Sequence, residues 1–209
     1  MHFYALDHLK SKTKTHIFRK AVLKESAEFD LDLVEFNAGD TLSDFITDLK
    51  GNGANAKTKV TALTTKDQTQ AINTVMTNYG KNTSANIFQH GVLMDRSHMI
   101  LNGVGKIIKG AHQAYSQQEN RILMLSNQVI GDANPILLID EDDVDAGHAA
   151  SVGQVDDNQL YYMESRGIDE KFAKYLLAQG FLKDLLIDIK EDQIKKQAFK
   201  IIEEELANG

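Results

Sequence analysis

The chain has 209 residues, a formal net charge of −7 and no cysteine. The lack of cysteine excludes disulfides, cysteine-ligated metal clusters and thiol nucleophiles within this chain, and the acidic balance argues against nucleic acid or an anionic membrane as a partner. No apolar run approaches the ~20 residues of a membrane-spanning helix. The first residues lack a signal-peptide pattern, so we expect a cytoplasmic protein.

Short runs rich in Val, Ile and Thr dominate the first part of the chain and are typical of strands. We take residues 1–155 as one strand-rich domain. Turns are expected where Gly, Asn and Asp gather. The predicted strands cover residues 16–24, 29–36, 59–65 and 121–126, and the predicted turns cover 38–40, 50–55, 79–82, 108–111 and 130–135.

Two all-β layouts are compatible with this pattern. An antiparallel sandwich needs hairpins, but of the two Asn-Gly pairs only the one at 52–53 falls between predicted strands, while the one at 102–103 falls at a strand end. A parallel β-helix places Gly, Asn and Asp at the corners of stacked coils. Gly51, Gly80 and Gly110 lie 29 and 30 residues apart, a spacing that suits coils. Periodicity alone leaves both layouts open.

Residues 156–209 show helical signals and form a second, smaller unit. Asp156 is a predicted N-cap for a helix that ends at Gly167, and Asp169 is a predicted N-cap for a second helix that ends at Gly180. A third short helix follows at once, and a fourth with a narrow apolar stripe ends the chain. A segment this short must pack on the β part or on another chain.

Motifs for catalysis are missing. The chain has no nucleophile elbow, phosphate-binding loop or dinucleotide fingerprint. The acidic run at 140–145 has the residue types that bind calcium, but its spacing is not that of an EF-hand, and a solvated turn after a strand explains it as well. A β-helix enzyme that cleaves acidic polysaccharides is one alternative function, and a purely structural repeat module is another.

Large apolar residues are concentrated on the predicted helices, beyond what one small packed face needs. Ordinary packing against the β part and a partner-binding surface, where aromatic anchors dominate binding energy, are both compatible with them. The residues that we expect at a docking surface are Tyr161, Tyr162, Arg166, Phe172, Leu176 and Phe181.

Three blocks between residues 118 and 181 carry a resemblance to a known family. They read QENRILMLS at 118–126, PILLI at 135–139 followed by DDVDAGHAASVG at 142–153, and QLYYMESRGI at 159–168 followed by an A-x-x-L-L-x-x-G-F pattern. In this order they resemble the SufB/SufD family of iron–sulfur cluster assembly proteins. Residues 1–80 are compatible with the family but add little to the resemblance.

The resemblance implies a mainly β protein, a right-handed parallel β-helix with a small C-terminal helical subdomain. It further implies a non-catalytic subunit of a cytoplasmic complex, in which the helices bind a SufC-type ATPase and the β-helix binds a SufB-type scaffold. In isolation, such a chain is expected to form a homodimer. It is expected to hold no cofactor of its own, and an iron–sulfur cluster is expected only within the complex.

The family motif also singles out His148. In the SufB branch this region carries a Glu-His-Glu segment, and here His148 lacks both glutamates, so the chain looks more like SufD. The cysteine expected two residues earlier is Ala146. By this resemblance, His148 lies near the nascent cluster, where a neutral imidazole could ligate iron or move a proton. Family members are longer, so the chain is expected to begin partway into the β-helix.

Overall fold

The computed structural model describes residues 1–187 and 189–208, with side chains as far as Glu205. Over these residues eleven strands are followed by three helices. The strands are β1 His2–Asp7, β2 Lys14–Leu23, β3 Glu28–Glu35, β4 Asp40–Leu49, β5 Asn55–Thr64, β6 Thr69–Asn78, β7 Ser84–Leu93, β8 His98–Ile107, β9 Ala114–Met124, β10 Ile130–Ile139 and β11 Val144–Gln154. The helices are α1 Asp157–Ser165, α2 Glu170–Leu186 and α3 Asp192–Asn208.

Successive strands alternate between two parallel sheets. Sheet A has the order β1-β3-β5-β7-β9-β11, and sheet B has the order β10-β8-β6-β4-β2. The strand pairs within the described residues are all parallel, as between β3 and β5 or between β8 and β10. Each pair of successive strands is therefore one coil, and the coils stack into a solenoid. The parallel β-helix is confirmed, and the antiparallel sandwich is wrong.

The coils stack because their corners repeat the same backbone shape. At one corner Ser26, Gly53, Asn82 and Gln113 all have positive φ, and their N–H groups donate to the coil that follows, as from Ser26 to the carbonyl of Asn52 at 2.9 Å. At Gly51 a Cβ would lie 2.0 Å from the backbone nitrogen of Glu25. Gly51 and Gly80 thus lie where neighbouring coils approach too closely for any side chain, whereas Gly110 has open space around it and adopts a left-handed φ of +95°.

The interior of the solenoid is filled by one apolar side chain above another. Phe45, Val60, Ile72, Leu93 and Leu101 are all at most 1% exposed and belong to one cluster between the two sheets. Because each buried aliphatic or aromatic side chain contributes roughly 1.5–3 kcal/mol, this column is the main source of stability in the strand region.

Two of the helices pack on the outer face of sheet A. Leu182 and Leu186 of α2 and Ile202 of α3 join one buried cluster with Val34 and Val92 of the sheet. Helix α1 has no buried residue and packs on α2. Among the described residues, none of the helices is long and apolar enough to cross a bilayer.

Gly167 ends α1 with φ of +84°, as predicted, whereas the predicted stop at Gly180 is wrong. Helix α2 runs through Gly180 to Leu186, so the described segment has three helices rather than four. An interior glycine costs a helix only ~1 kcal/mol. The burial of Leu182 and Leu186 just beyond it offsets that cost.

The turn predicted at 130–135 is also wrong, because these residues lie in β10. Pro135 is tolerated there since β10 is the edge strand of sheet B, the position in a sheet where proline is accommodated. The Asn-Gly pair at 102–103 lies in the middle of β8 rather than at a strand end. A Cβ on Gly103 would lie 3.1 Å from Asn120 Oδ1, so the glycine leaves room for that buried amide.

Candidate partner-binding surfaces

The last coil of the solenoid exposes two strand edges. Strand β11 is the edge of sheet A and β10 is the edge of sheet B, so each pairs with a described strand on one side only. Ile130, Ile136, Leu138 and Val152 on these strands are between 41% and 58% exposed. Unpaired backbone groups next to exposed apolar side chains form a template for a further strand.

His148 lies on the exposed edge strand β11, in register with Gln118 of β9. Gln118 is only 3% exposed, its Nε2 donates to the Ile136 carbonyl at 3.0 Å, and its Oε1 has no partner. The imidazole therefore stands at the open end of the solenoid, above a buried amide. Ala146, two residues earlier, is half-buried and provides no metal ligand.

The acidic run forms a turn between β10 and β11. Glu141 is 5% exposed and accepts hydrogen bonds from Gly110 N at 2.8 Å and from Asp142 N at 3.0 Å. These bonds, with His112 and Lys109 nearby, hold the pKa of Glu141 below its ordinary value. Within the described part of the chain no group of three His, Asp or Glu side chains is placed to hold a metal. The carboxylate fixes the turn instead.

The helices present a second surface, centred on α1 and the first turns of α2. Tyr161 and Tyr162 are 74% and 59% exposed, and the Arg166 guanidinium lies 5.2 Å from the centroid of the Tyr162 ring. Phe172, 49% exposed, stacks on Tyr175 with ring centroids 5.6 Å apart. Exposed aromatic side chains with an arginine among them are the residue types enriched at binding hot spots.

A cleft of about 680 Å³ opens beside this aromatic surface. Phe172, Tyr175 and Leu176 of α2 line it together with Glu203 of α3. The Tyr175 hydroxyl donates to Glu203 at 3.4 Å, and burial together with that carboxylate raises the pKa of Tyr175. Leu176 is half-buried. The cleft therefore offers an apolar wall with a polar rim.

Phe181 differs from the other five predicted docking residues because its ring faces this chain's own sheet. It is half-buried, 5.2 Å from the His90 ring and 5.1 Å from the Arg121 guanidinium. Tyr161, Tyr162, Arg166 and Phe172 are exposed and lie on one helical pair. The structure thus leaves four of the six exposed on the helical pair, with Leu176 at the cleft.

Sequence reasoning missed the sheet residues that hold the helices. His90 is 2% exposed, and its Nε2 lies 2.9 Å from Glu119 Oε1. The two lie 29 residues apart, whereas the register of β7 and β9 pairs residues 31 apart and places His90 beside Arg121, so no spacing in the sequence predicts this contact. Glu203, which borders the cleft, carried no signal of its own.

Comparison with known proteins supports the resemblance to the SufB/SufD family. The family model described as "SUF system FeS cluster assembly, SufBD core domain" matches residues 1–181. The iron–sulfur cluster assembly protein SufD of Bacillus subtilis is 43% identical over 200 residues, which cover 95% of this chain and 46% of that protein. The SufD protein of Escherichia coli is 29% identical over 118 residues, covering 56% of this chain and 28% of that protein.

A mycobacterial relative shows the same resemblance over a shorter stretch. A SufBD family protein of Mycobacterium leprae is 43% identical over 88 residues, 42% of this chain and 22% of that protein. The chain therefore spans less than half the length of these relatives.

Proposed function

Because the chain belongs to the SufB/SufD family of iron–sulfur cluster assembly proteins and is SufD-like, we propose that it is a non-catalytic subunit of a cytoplasmic SufB–SufC–SufD complex. Its relatives are named as assembly proteins, which is in line with a role in binding rather than turnover. Two surfaces divide that role: the helical pair binds a SufC-type ATPase, and the last coil binds a SufB-type scaffold.

The single observation that carries the ATPase assignment is the exposure of aromatic side chains on these helices, outside the buried cluster that joins the helices to the sheet. Tyr161 and Tyr162 lie on α1, which buries none of its residues. Phe172 and Leu176 extend the surface onto α2 beside the cleft. A partner that covers these side chains removes apolar area from water at the centre of the contact.

The scaffold assignment rests on the open edges of β10 and β11. A strand added to either edge satisfies backbone groups that the described chain leaves unpaired. The exposed Ile136 and Leu138 give that strand an apolar contact. A second copy of this chain meets the same requirement, so we expect a homodimer when the scaffold is absent.

His148 is placed by this proposal at the junction with the scaffold. Its strand is the sheet edge that the scaffold covers, and its imidazole is exposed. The iron–sulfur cluster is the cargo of the complex, and a neutral imidazole is a suitable iron ligand. The isolated chain is proposed to hold no cofactor.

Movement of the helices reaches the junction through the sheet. Helix α2 packs on β5 and β7, and β7 is joined by parallel ladders to β9 and then to β11. A close-packed seam between helices and sheet transmits a rigid displacement because its side chains have little free volume. The ATPase cycle would thus act on the edge strand that carries His148.

Pull-down with a SufC-type ATPase subunit tests the proposal. We expect Tyr162→Asp and Phe172→Asp each to abolish capture, because a carboxylate is desolvated without a partner in an apolar contact. Phe18→Asp is the matched control, since Phe18 is 57% exposed and lies on β2 of sheet B, whereas the helices pack on sheet A. Capture that survives both helix variants, or that Phe18→Asp also removes, contradicts the assignment.

A further inference from the structure

The ring of Phe181 packs against two side chains of sheet A. Its centroid lies 5.2 Å from that of the His90 imidazole, at an interplanar angle of 34°, and the Arg121 guanidinium carbon lies 5.1 Å from it on the ring face. A ring that contacts an imidazole and a guanidinium has preferred directions as well as buried area. We name this group of three residues the Phe181 clamp.

The sheet side of the clamp is fixed. His90 is 2% exposed, and its Nε2 is tied to Glu119 Oε1 at 2.9 Å. His90 of β7 and Arg121 of β9 are register partners on adjacent strands. The clamp therefore joins α2 to two neighbouring coils, and β9 in turn pairs with the edge strand β11.

The buried apolar contacts between α2 and the sheet have no comparable direction. Leu182 and Leu186 pack with Val34 and Val92 in an aliphatic cluster, and apolar burial depends on area rather than angle. Helix α1 packs on α2 and has no buried residue of its own. The orientation of the exposed aromatic surface relative to the solenoid therefore depends on how α2 is oriented.

We infer that Phe181 is a positioning residue: the clamp sets the angle of the α1–α2 pair on sheet A, and so the placement of the ATPase-binding surface relative to the edge strand with His148. The link to partner binding rests on the proposed function. The positioning itself is a property of this chain alone and is measured without a partner.

Distance measurement between two spin labels tests the positioning. The chain has no cysteine, so Lys57→Cys on β5 and Glu164→Cys on α1, both exposed, take labels without background. We expect one narrow distance distribution in the parent pair. Phe181→Leu keeps an apolar side chain but removes the ring, and it should broaden or shift that distribution. Phe181→Tyr keeps the ring and should restore the narrow distribution.

Phe199→Leu is the matched control. Phe199 of α3 packs against the same cluster as Phe181. Replacing its ring therefore removes a similar amount of packing between the helices and the sheet but leaves the Phe181 clamp in place. We expect the distribution to stay narrow in this control. Arg121→Met, which removes the cation but keeps an apolar stem, should broaden it. A distribution that Phe181→Leu leaves unchanged, or that Phe199→Leu broadens equally, overturns the inference.

Binding to the SufC-type ATPase subunit provides the second readout. Phe181→Leu should weaken binding about fivefold, the loss expected for one cation–π contact, with the same maximum capture as the parent. Failure of the parent chain to bind the ATPase would refute the proposed function and leave the distance result standing. Normal binding together with a broadened distance distribution would refute the link between the clamp and the partner.

Discussion

In the solenoid, each strand repeats the contacts of the strand one coil earlier, whereas the three helices depend on a single apolar cluster at sheet A. Ile72 and Leu101, for example, are register partners on β6 and β8 and lie in one interior column. Leu182 instead shares a cluster with Val34 and Val92, which lie 148 and 90 positions earlier in the chain. The repeating region should therefore lose stability as a unit, and the helical region should separate from it at one seam.

The largest expected effect is in the interior column. Phe45→Ala removes a side chain that is 1% exposed, and large-to-small changes of this kind cost about 3–5 kcal/mol. Denaturant unfolding followed by circular dichroism should show a loss of that size in one cooperative transition. Phe18→Ala, on an exposed side chain, should change stability by no more than about 0.5 kcal/mol.

Where the helices pack on sheet A, Leu182→Ala should reduce the free energy that holds the helices on the sheet by about 2–5 kcal/mol. Because Leu182 is fully buried in that cluster, we expect hydrogen exchange to accelerate in α2 and α3 while the strands stay protected. Equal acceleration of hydrogen exchange in β6 and β8 would show that the helices and the solenoid unfold together, and would contradict the proposed difference between the two regions.

The corners give a smaller effect. Gly51→Ala places a Cβ within 2.0 Å of the Glu25 backbone nitrogen, and overpacking of this kind costs about 1–3 kcal/mol. Gly153→Ala on β11 is the control, because nothing lies within 4 Å of its added Cβ. The midpoint of thermal unfolding should be lower for Gly51→Ala than for Gly153→Ala. Equal midpoints would contradict the explanation that Gly51 lies at a tight corner.

A buried carboxyl group in the first coils makes stability depend on pH. Glu35 is 0% exposed, and desolvation together with the neighbouring Asp7 raises its pKa well above the ordinary value, against the lowering effect of Arg19. The folded state therefore holds a proton that the unfolded state releases above about pH 4.3. Its stabilising contribution is complete below that pH and is lost as the pH rises through the folded pKa.

Glu35→Gln removes this dependence because the amide is neutral at every pH. Its carbonyl can still accept from Asn37 Nδ2 and Ser43 Oγ, which now bond Glu35 Oε2. We expect the variant to gain stability relative to the parent as the pH rises toward neutrality. Urea titrations at several pH values check this, and a constant difference across them would be against it.

Local signals predict four of the eleven described strands, β2, β3, β5 and β9, and leave the other seven without a predicted run. The run predicted at 29–36 corresponds to β3, Glu28–Glu35, and the run at 16–24 to β2, Lys14–Leu23. The predicted caps Asp156 and Asp169 accept from Asn158 N and Phe172 N in the structure. A cap needs only its own helix, so the sequence alone reveals it.

Contacts between coils could not be predicted in the same way. Asn134, Asn102 and Asn73 form an amide ladder that ends at Asp44, with Nδ2 to Oδ1 distances of 3.0, 2.7 and 2.7 Å. These polar residues in mid-strand read as turn formers until the register of the coils is known. For the candidate site, the motifs indicated the exposed aromatic residues, but the inward orientation of Phe181 depends on packing with β7 and β9.

Separation of the two binding surfaces tests the central claim most directly. Native mass spectrometry of this chain mixed with a SufC-type ATPase and a SufB-type scaffold measures both contacts at once. We predict that Tyr162→Asp loses the ATPase and keeps the scaffold, while Ile136→Lys combined with Leu138→Lys loses the scaffold and keeps the ATPase. If either variant loses both partners or neither, the division of binding between the helices and the last coil is contradicted.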